Sequence, residues 1–382
     1  MNKIVVAIDS FKGSLSTFQS AEAIKDAAKI VFDDAEVVVS PIADGGEGTV
    51  DAIVSATKGE MIEVLVKNPL GDRIKACYGM IPQTKTAIIE MSAAAGITLI
   101  GEDERNPLET TTFGVGEMIL DAISKGCRKF VIGIGGSATN DGGVGMLQAL
   151  GYEFLDCDGN AIDLGAKGLK NLFEIKLENA LPEIAECTFC IACDVTNVLC
   201  GDMGCSAVYG PQKGATPEMI KDMDMWLRNY AELTKKVLPE SDMNAPGTGA
   251  AGGLGFAFMS YLKGSLESGI NLVMKETGLE EHIKDADLVI TGEGRLDGQS
   301  YMGKAPVGVA KLAKKYDIPV IAFCGSVTED AVLCNEHGID AFFPIVRTPC
   351  TLSEAMDCDN AYKNLKNTAE QVFRLIKVYR KK

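Results

Sequence analysis

The chain has 382 residues, enough for two domains with buried cores, and a composition that excludes the disordered and fibrous classes. Its 37 basic residues stand against 53 acidic ones, and the resulting net charge of −16 repels both a nucleic-acid backbone and an anionic membrane surface. Nucleic acid and membranes are therefore excluded as expected partners. No apolar run reaches transmembrane length and the first residues, MNKIVVAIDS, lack a signal-peptide pattern, so a cytoplasmic location is expected.

The opening segment alternates in the manner of doubly wound α/β folds. Residues 4–8 read as a strand, residues 17–32 as a helix with capping-box spacing at Ser16 and Gln19, residues 36–40 as a strand, and residues 50–57 as a helix. The pattern then changes. Strand-like runs at 62–66, 74–81 and 86–90, with a turn at 68–71 (NPLG), predict antiparallel hairpins. Residues 129–134 form a further strand leading into 135–145 (GGSATNDGGVG) and a short helix near 146–150. Strand 188–195, loop 196–214 and a helix over 217–237 come next, then a small-residue stretch at 245–255 and further helix. Alternation resumes with strands at 288–291, 319–324 and 341–345, separated by helices near 307–316 and 329–336. The fold class that follows is α/β with two domains: a Rossmann-like, doubly wound parallel sheet built from both chain ends (1–60 plus 285–382), and an inserted mixed α/β domain (61–284).

Twelve cysteines in a chain expected in a reducing compartment predict no structural disulfides. Cys187, Cys190 and Cys193 have CxxCxxC spacing. They fall on the predicted strand 188–195, where alternation turns Cys190 away from the other two, which favours buried small hydrophobes over an iron–sulfur ligand set. With only His282 and His337 in the chain, a carboxylate is the expected proton acceptor.

In an open parallel sheet the ligand crevice lies beyond the C-terminal strand ends. Here that edge carries residues 9–14 (DSFKGS), 44–48 (DGGEG) and 292–297 (GEGRLD), which would bring Asp9, Lys12, Asp44, Glu47, Glu293, Arg295 and Asp297 together. Ion pairs and helix caps account for such residues one at a time; convergence of three distant loops points to a phosphate-handling site. Residues 298–305 (GQSYMGKA) nearly match a P-loop, but Ala305 stands where a metal-binding hydroxyl is needed. Pro306 suits a first helical turn, so Gly303 and Lys304 are expected at a helix N-terminus that favours an anion. Residues 133–138 (GIGGSA) fit a dinucleotide pattern without the companion acid. Residues 137–143 (SATNDGG) suit a polyhydroxy ligand or phosphates, or else a well-capped turn. Asp194, with Asn197 after it, suits either a base for a hydroxyl proton or a loop cap.

Six ordered motifs carry a resemblance: AIDSFKGSLS (7–16), ADGGEGT (43–49), GIGGSATNDGG (133–143), YGPQKGA (209–215), GAAGGLG (249–255) and TGEGRLDGQSYMGKAP (291–306). Through them the chain resembles the bacterial type I glycerate kinases over almost its whole length. It departs from their pattern at Asn197–Val198, where relatives commonly have Asn-Pro. The resemblance implies transfer of the ATP γ-phosphoryl group to D-glycerate with Mg²⁺, in the cleft between a Rossmann-like and an inserted domain. A 2-phosphoglycerate product is favoured over 3-phosphoglycerate, and a homodimer is among the options. On this basis Lys12 and Arg295 are expected to act on phosphates or the substrate carboxylate, and Asp194 is the first choice of base. Asp44, Glu293 and Asp297 are expected to hold Mg²⁺ or its waters. Ser14, Ser137, Asn140, Asp141, Asn197, Lys213 and Lys304 are expected to bind substrate or phosphate. Two alternatives stand beside this: an NAD(P)-dependent hydroxy-acid dehydrogenase, and a non-catalytic protein that binds a sugar-acid phosphate.

Overall fold

The structure is a computed structural model and describes residues 1–380. It divides into two compact units, one comprising Met1–Asp44, Asp51–Thr57 and Ile270–Lys382 (unit 1), the other Gly45–Val50 and Lys58–Gly269 (unit 2). The helices at Gly269–Thr277 and Leu279–Ile283 thus fall largely or wholly in unit 1, although the sequence pattern places them in the insertion.

In chain order unit 1 opens with β1 (Lys3–Val6), α1 (Thr17–Val31) and β2 (Glu36–Val39), and α2 (Thr49–Thr57) follows. Unit 2 then runs through β3 (Glu60–Lys67), β4 (Arg73–Ile81), β5 (Thr86–Glu90), α3 (Ser92–Ala95), α4 (Phe113–Ser124), β6 (Lys129–Gly133), α5 (Val144–Ala149), β7 (Glu153–Leu155), β8 (Glu174–Lys176) and β9 (Thr188–Ala192). It continues with α6 (Cys205–Tyr209), α7 (Pro217–Val237), α8 (Ala250–Tyr261) and β10 (Ser265–Glu267), and α9 (Gly269–Thr277) follows. Unit 1 resumes with α10 (Leu279–Ile283), β11 (Leu288–Leu296), α11 (Ala305–Lys314), β12 (Val320–Val327), α12 (Leu333–Glu336), β13 (Ala341–Pro344), α13 (Leu352–Met356) and α14 (Cys358–Tyr379). Among the described residues no helix is long and apolar enough to cross a membrane.

Unit 1 is built on a five-stranded sheet, β13-β12-β11-β1-β2, parallel throughout. Its central strands are apolar runs rather than alternating ones, as parallel strands buried on both faces require. Counted within the sheet the order is 2-1-3-4-5, the flavodoxin-like form of the doubly wound fold, and it reverses between β1 and β11. That reversal opens the crevice where ligands of such folds bind. Ser16 caps α1: the Gln19 N–H donates to Ser16 Oγ at 3.2 Å and the Ser16 N–H to Gln19 Oε1 at 2.9 Å. The core face of α1 packs on α14, with Phe32 edge-on to Phe373 at 6.1 Å.

Strand β11 is longer than its apolar run predicts. Pairing with β12 continues through Glu293↔Cys324, Arg295↔Ser326 and Leu296↔Val327, so GEGRL is strand, not loop. Glycine makes the extension feasible: a β-carbon on Gly292 would lie 1.8 Å from the Phe323 carbonyl oxygen.

Unit 2 carries a six-stranded mixed sheet, β10-β9-β6-β5-β4-β3. Its β3-β4-β5 part is antiparallel, as the hairpin signals predict, and the rest is parallel. The Asn68 side chain shapes the first turn by accepting from the Leu70 and Asp72 N–H groups, each at 2.9 Å. Strand β9 stops at Ala192, and Cys187, Cys190 and Cys193 are half-buried rather than fully buried. The core of unit 2 is rich in aromatics, including Phe130 stacked on Phe189 at 4.9 Å.

Candidate active site

A cavity of about 650 Å³ in unit 1 lies at the switch point. Asp9 reaches it from beyond β1, Lys12 from the turn that follows, Asp44 from beyond β2, and Glu293, Arg295 and Asp297 from the extended β11. Lys304 joins them as the N-cap of α11, and Pro306 sits in that helix's first turn as its sequence predicts. Ser14 lines the cavity too, and its buried hydroxyl has no hydrogen-bond partner. Glu47, placed by sequence in the same crevice, does not line the cavity and lies in a segment of unit 2.

Lys12 stands on a tight turn in which the Phe11 N–H donates to the Leu15 carbonyl at 2.8 Å, with Gly13 in the left-handed region at φ +78°. Its ammonium pairs with Asp44 at 2.9 Å, and burial opposes that charge while Asp44 restores and raises it. Arg295 and Lys304 both lean on Asp297, at 3.6 and 3.8 Å. Glu293 is almost wholly buried and accepts a hydrogen bond from Ser300 Oγ at 2.5 Å; burial pushes its carboxyl above the usual range. Asp9 is the most perturbed acid of the group. Burial first, and Asp44 second, push its carboxyl up to about 7, against the Ser10 N–H and Lys12, which favour the charged form.

These acids lie within electrostatic reach of one another, and carboxylate oxygens are the donors Mg²⁺ prefers. Among the described residues, however, no group of three or more His, Cys, Asp or Glu side chains forms a metal cage. The donor set fits an ion held by one or two carboxylates together with phosphate oxygens, the usual Mg²⁺ arrangement in phosphoryl transfer.

Unit 2 holds the remaining sequence-predicted residues. Lys213 is buried, and its ammonium donates to Ser137 Oγ at 2.8 Å and the Thr139 carbonyl at 2.6 Å. Burial pulls it down to about 8, while Cys205 and Asp141 nearby oppose the fall. Asn140 lies next in the chain and fully inside the protein, where its amide donates to Ser206 Oγ at 2.8 Å and its buried carbonyl oxygen lacks a partner. Asp141 is also fully buried. Its carboxylate accepts from the Thr112 N–H and hydroxyl, the Thr111 hydroxyl, and the Gly143 and Gly145 N–H groups, and so ties the 137–143 turn to the start of α4. The glycine-rich 249–255 segment backs the same turn. A β-carbon on Gly252 would lie 2.1 Å from the Thr139 carbonyl, and the Gly142 N–H donates to the Gly252 carbonyl at 2.9 Å.

Asp194 is exposed just past β9 and accepts from the Gly269 N–H at 3.1 Å. The Asn197 side chain is engaged at both ends, donating to the Met203 carbonyl at 3.0 Å and accepting from Tyr209 Oη at 2.7 Å. These two bonds pin the loop at Asn197–Val198.

Two features escape the sequence patterns. Ser300 sits within the quoted motif but has no signal for its hold on Glu293, which depends on β11 running on as strand. The apolar lining of the cavity is the other: part of it, Leu352, Ala355 and Met356, comes from a five-residue helix too short to show periodicity.

Comparison with known proteins adds an independent line. The model of the glycerate kinase family matches residues 4–377. The chain is 48% identical to the Escherichia coli (strain K12) protein named glycerate 2-kinase, over 95% of each chain. It is 47% identical to a Haemophilus influenzae glycerate kinase over 98% of each, and 46% identical to a Bacillus subtilis glycerate kinase over 98% of each. A crystal structure from Salmonella typhimurium LT2, described as a candidate glycerate kinase 2, superposes over all of both chains with a TM-score of 0.91 at 45% identity. With a family match across nearly every residue and relatives of this similarity over 95–98% of their length, the chain belongs to the glycerate kinase family.

Proposed function

We propose that this protein phosphorylates D-glycerate at the expense of ATP, with 2-phosphoglycerate favoured as product. One observation carries the reading: in a member of the glycerate kinase family, three cations and four carboxylates from distant stretches of chain surround one cavity at the switch point of a doubly wound sheet. The preference for the 2-position rests on the name of the E. coli relative.

Phosphoryl transfer calls for positioning and for neutralisation of oxygen charge. Lys12, Arg295 and Lys304 supply positive charge for phosphates or for the substrate carboxylate. The acids Asp9, Asp44, Glu293 and Asp297 outnumber them, so a bare triphosphate would meet repulsion that a divalent cation removes. Asp44, Glu293 and Asp297 are the residues that would hold Mg²⁺ or its waters, and the ion would supply neutralisation of phosphate charge. In unit 2, Lys213 with Ser137 supplies a buried cation and a hydroxyl for the anionic substrate, Asn140 and Asp141 fix the turn that presents them, and Asn197 fixes the loop that follows Asp194. In the chemical step the glycerate hydroxyl oxygen bonds to the γ-phosphorus, the bond from that phosphorus to the ADP oxygen breaks, and Asp194 accepts the hydroxyl proton.

The dehydrogenase and the non-catalytic binding readings draw no support from the family match. A coupled assay of ADP release with ATP, Mg²⁺ and D-glycerate tests the proposal, and phosphorus NMR of the product assigns the hydroxyl. Absence of glycerate-dependent ADP release would reject it.

A further inference from the structure

The charged groups occupy only part of the unit 1 cavity. Another part of the lining is apolar, made by Ile345 and Val346 after β13 and by Leu352, Ala355 and Met356 of α13. Positions 352, 355 and 356 are spaced i, i+3, i+4, so one face of the short helix is turned to the cavity. Helix α13 is well started, with a capping box between Thr351 and Glu354, yet it buries none of its own residues. Leu352 is 76% exposed and Met356 38%. An apolar face held in place by a cap, but left largely open among the described residues, is built to be covered by something else.

This apolar lining is fastened to the charged groups at two points. The Ile345 N–H donates to the Cys324 carbonyl at 2.9 Å, and Cys324 pairs with Glu293 across β11 and β12. Met356 Cε lies 2.7 Å from where a β-carbon on Gly13 would stand, so α13 rests on the turn that carries Lys12. One cavity therefore joins cationic and acidic groups to an apolar surface in fixed relation. Glycerate is a three-carbon acid with no apolar face, and a cavity of about 650 Å³ far exceeds its needs. A nucleoside triphosphate matches both kinds of lining: a flat aromatic base for the apolar residues and a polyanion for Lys12, Arg295 and Lys304.

We infer that unit 1 is the nucleotide-binding unit, with the base of ATP against Val346, Leu352 and Met356 and its phosphates toward Lys12, Arg295 and Lys304. Asn364, which also lines the cavity, supplies an amide donor and acceptor for the edge of the base. The inference rests on the kinase reading for the identity of the nucleotide, and its test does not depend on turnover.

The test uses the full chain and the double variant Val346→Ser/Leu352→Ser, both exposed positions where loss of apolar contact leaves the core intact. Calorimetric titration with ADP and with pyrophosphate, each with Mg²⁺, compares ligands that share the phosphates but not the base. The wild type should bind ADP at least about tenfold tighter than pyrophosphate, and the variant should lose most of that advantage while binding pyrophosphate as before. In steady-state assays the variant should raise the KM for ATP about tenfold and leave the KM for glycerate and kcat unchanged. An unchanged ADP preference in a variant of normal melting temperature would overturn the inference, as would a rise in glycerate KM alone. Met356→Gln is the second variant should the first fail to fold, with the same loss of ADP preference expected and the same result overturning it. A wild type that binds ADP but shows no glycerate-dependent turnover would reject the proposed reaction and leave the nucleotide site standing.

Discussion

Lys213 Nζ donates to Ser137 Oγ at 2.8 Å from a position almost wholly removed from water, and both its hydrogen-bond acceptors are neutral. A buried ammonium held by a hydroxyl and a backbone carbonyl is costly to the fold, and the cost shows in its fall to about 8. Strain of this kind at a positive, buried site is what capture of an anion would relieve.

The pH dependence follows from the direction of that shift. In the folded state Lys213 loses its proton near 8, whereas in the unfolded chain it does so near 10.5. Its contribution to stability is therefore best above about 10.5, declines as pH falls through 8, and is at its worst below that. Lys213→Met removes the term at all pH values. The melting temperature of the variant relative to wild type should be several degrees more favourable at pH 7 than at pH 10, an effect on the order of 1–3 kcal/mol. Activity should fall at the same time. A relative melting temperature that does not change with pH would mean Lys213 is solvated in the folded protein.

Asp9 has the opposite sign. Its carboxyl is raised from 3.8 to about 7, so the folded state holds the proton more tightly than the unfolded chain does between those values. Stability from this group is full below about 3.8 and is lost as pH rises through 7. Asp9→Asn should then match wild type in melting temperature near pH 4 and exceed it near pH 8, measured with chelator present. Equal differences at both pH values would show that Asp9 ionises like a surface carboxylate.

Much of this was legible in the sequence, and what was not has physical causes. The apolar runs fixed the parallel strands of unit 1, since strands buried on both faces need continuous apolar residues, and the turn chemistry at Asn68 and the capping box at Ser16 and Gln19 appear as read. The extension of β11 was hidden because GEGRL has no apolar run; it exists through pairing with β12, a tertiary cause. Asn140 and Asp141 read equally well as ligands or as turn residues, and only burial shows that they hold the turn from within. Six of the seven residues foreseen as a set, Asp9, Lys12, Asp44, Glu293, Arg295 and Asp297 but not Glu47, line one cavity, because strand ends in a parallel sheet gather at one edge. The wall from α13 was not foreseeable, because its apolar residues follow the last strand and carry no motif.

The Gly292 contact makes a sharp stability prediction. With the Phe323 carbonyl 1.8 Å from the β-carbon position, Gly292→Ala forces β11 away from β12 and disrupts the strand that carries Glu293 and Arg295. A loss on the order of 2–4 kcal/mol is expected in urea unfolding. Gly303→Ala has only backbone strain to bear, at φ +117° with nothing within 4 Å, and should cost about 1 kcal/mol. Equal costs for the two would remove the close approach as the reason for glycine at 292.

Asp194→Asn separates chemistry from structure. Asp194 is exposed, and the hydrogen bond it accepts from the Gly269 N–H can be made as well by an amide oxygen, so the change should shift the melting temperature by no more than a degree or two. An amide cannot take a proton, however. If Asp194 is the base, kcat falls by about 10²- to 10⁴-fold, with the KM values for ATP and glycerate nearly unchanged. Near-normal kcat would exclude Asp194 as the base. A fall in kcat accompanied by a large rise in glycerate KM would instead make Asp194 a positioning residue, since a general base acts on the transition state and leaves ground-state binding almost alone.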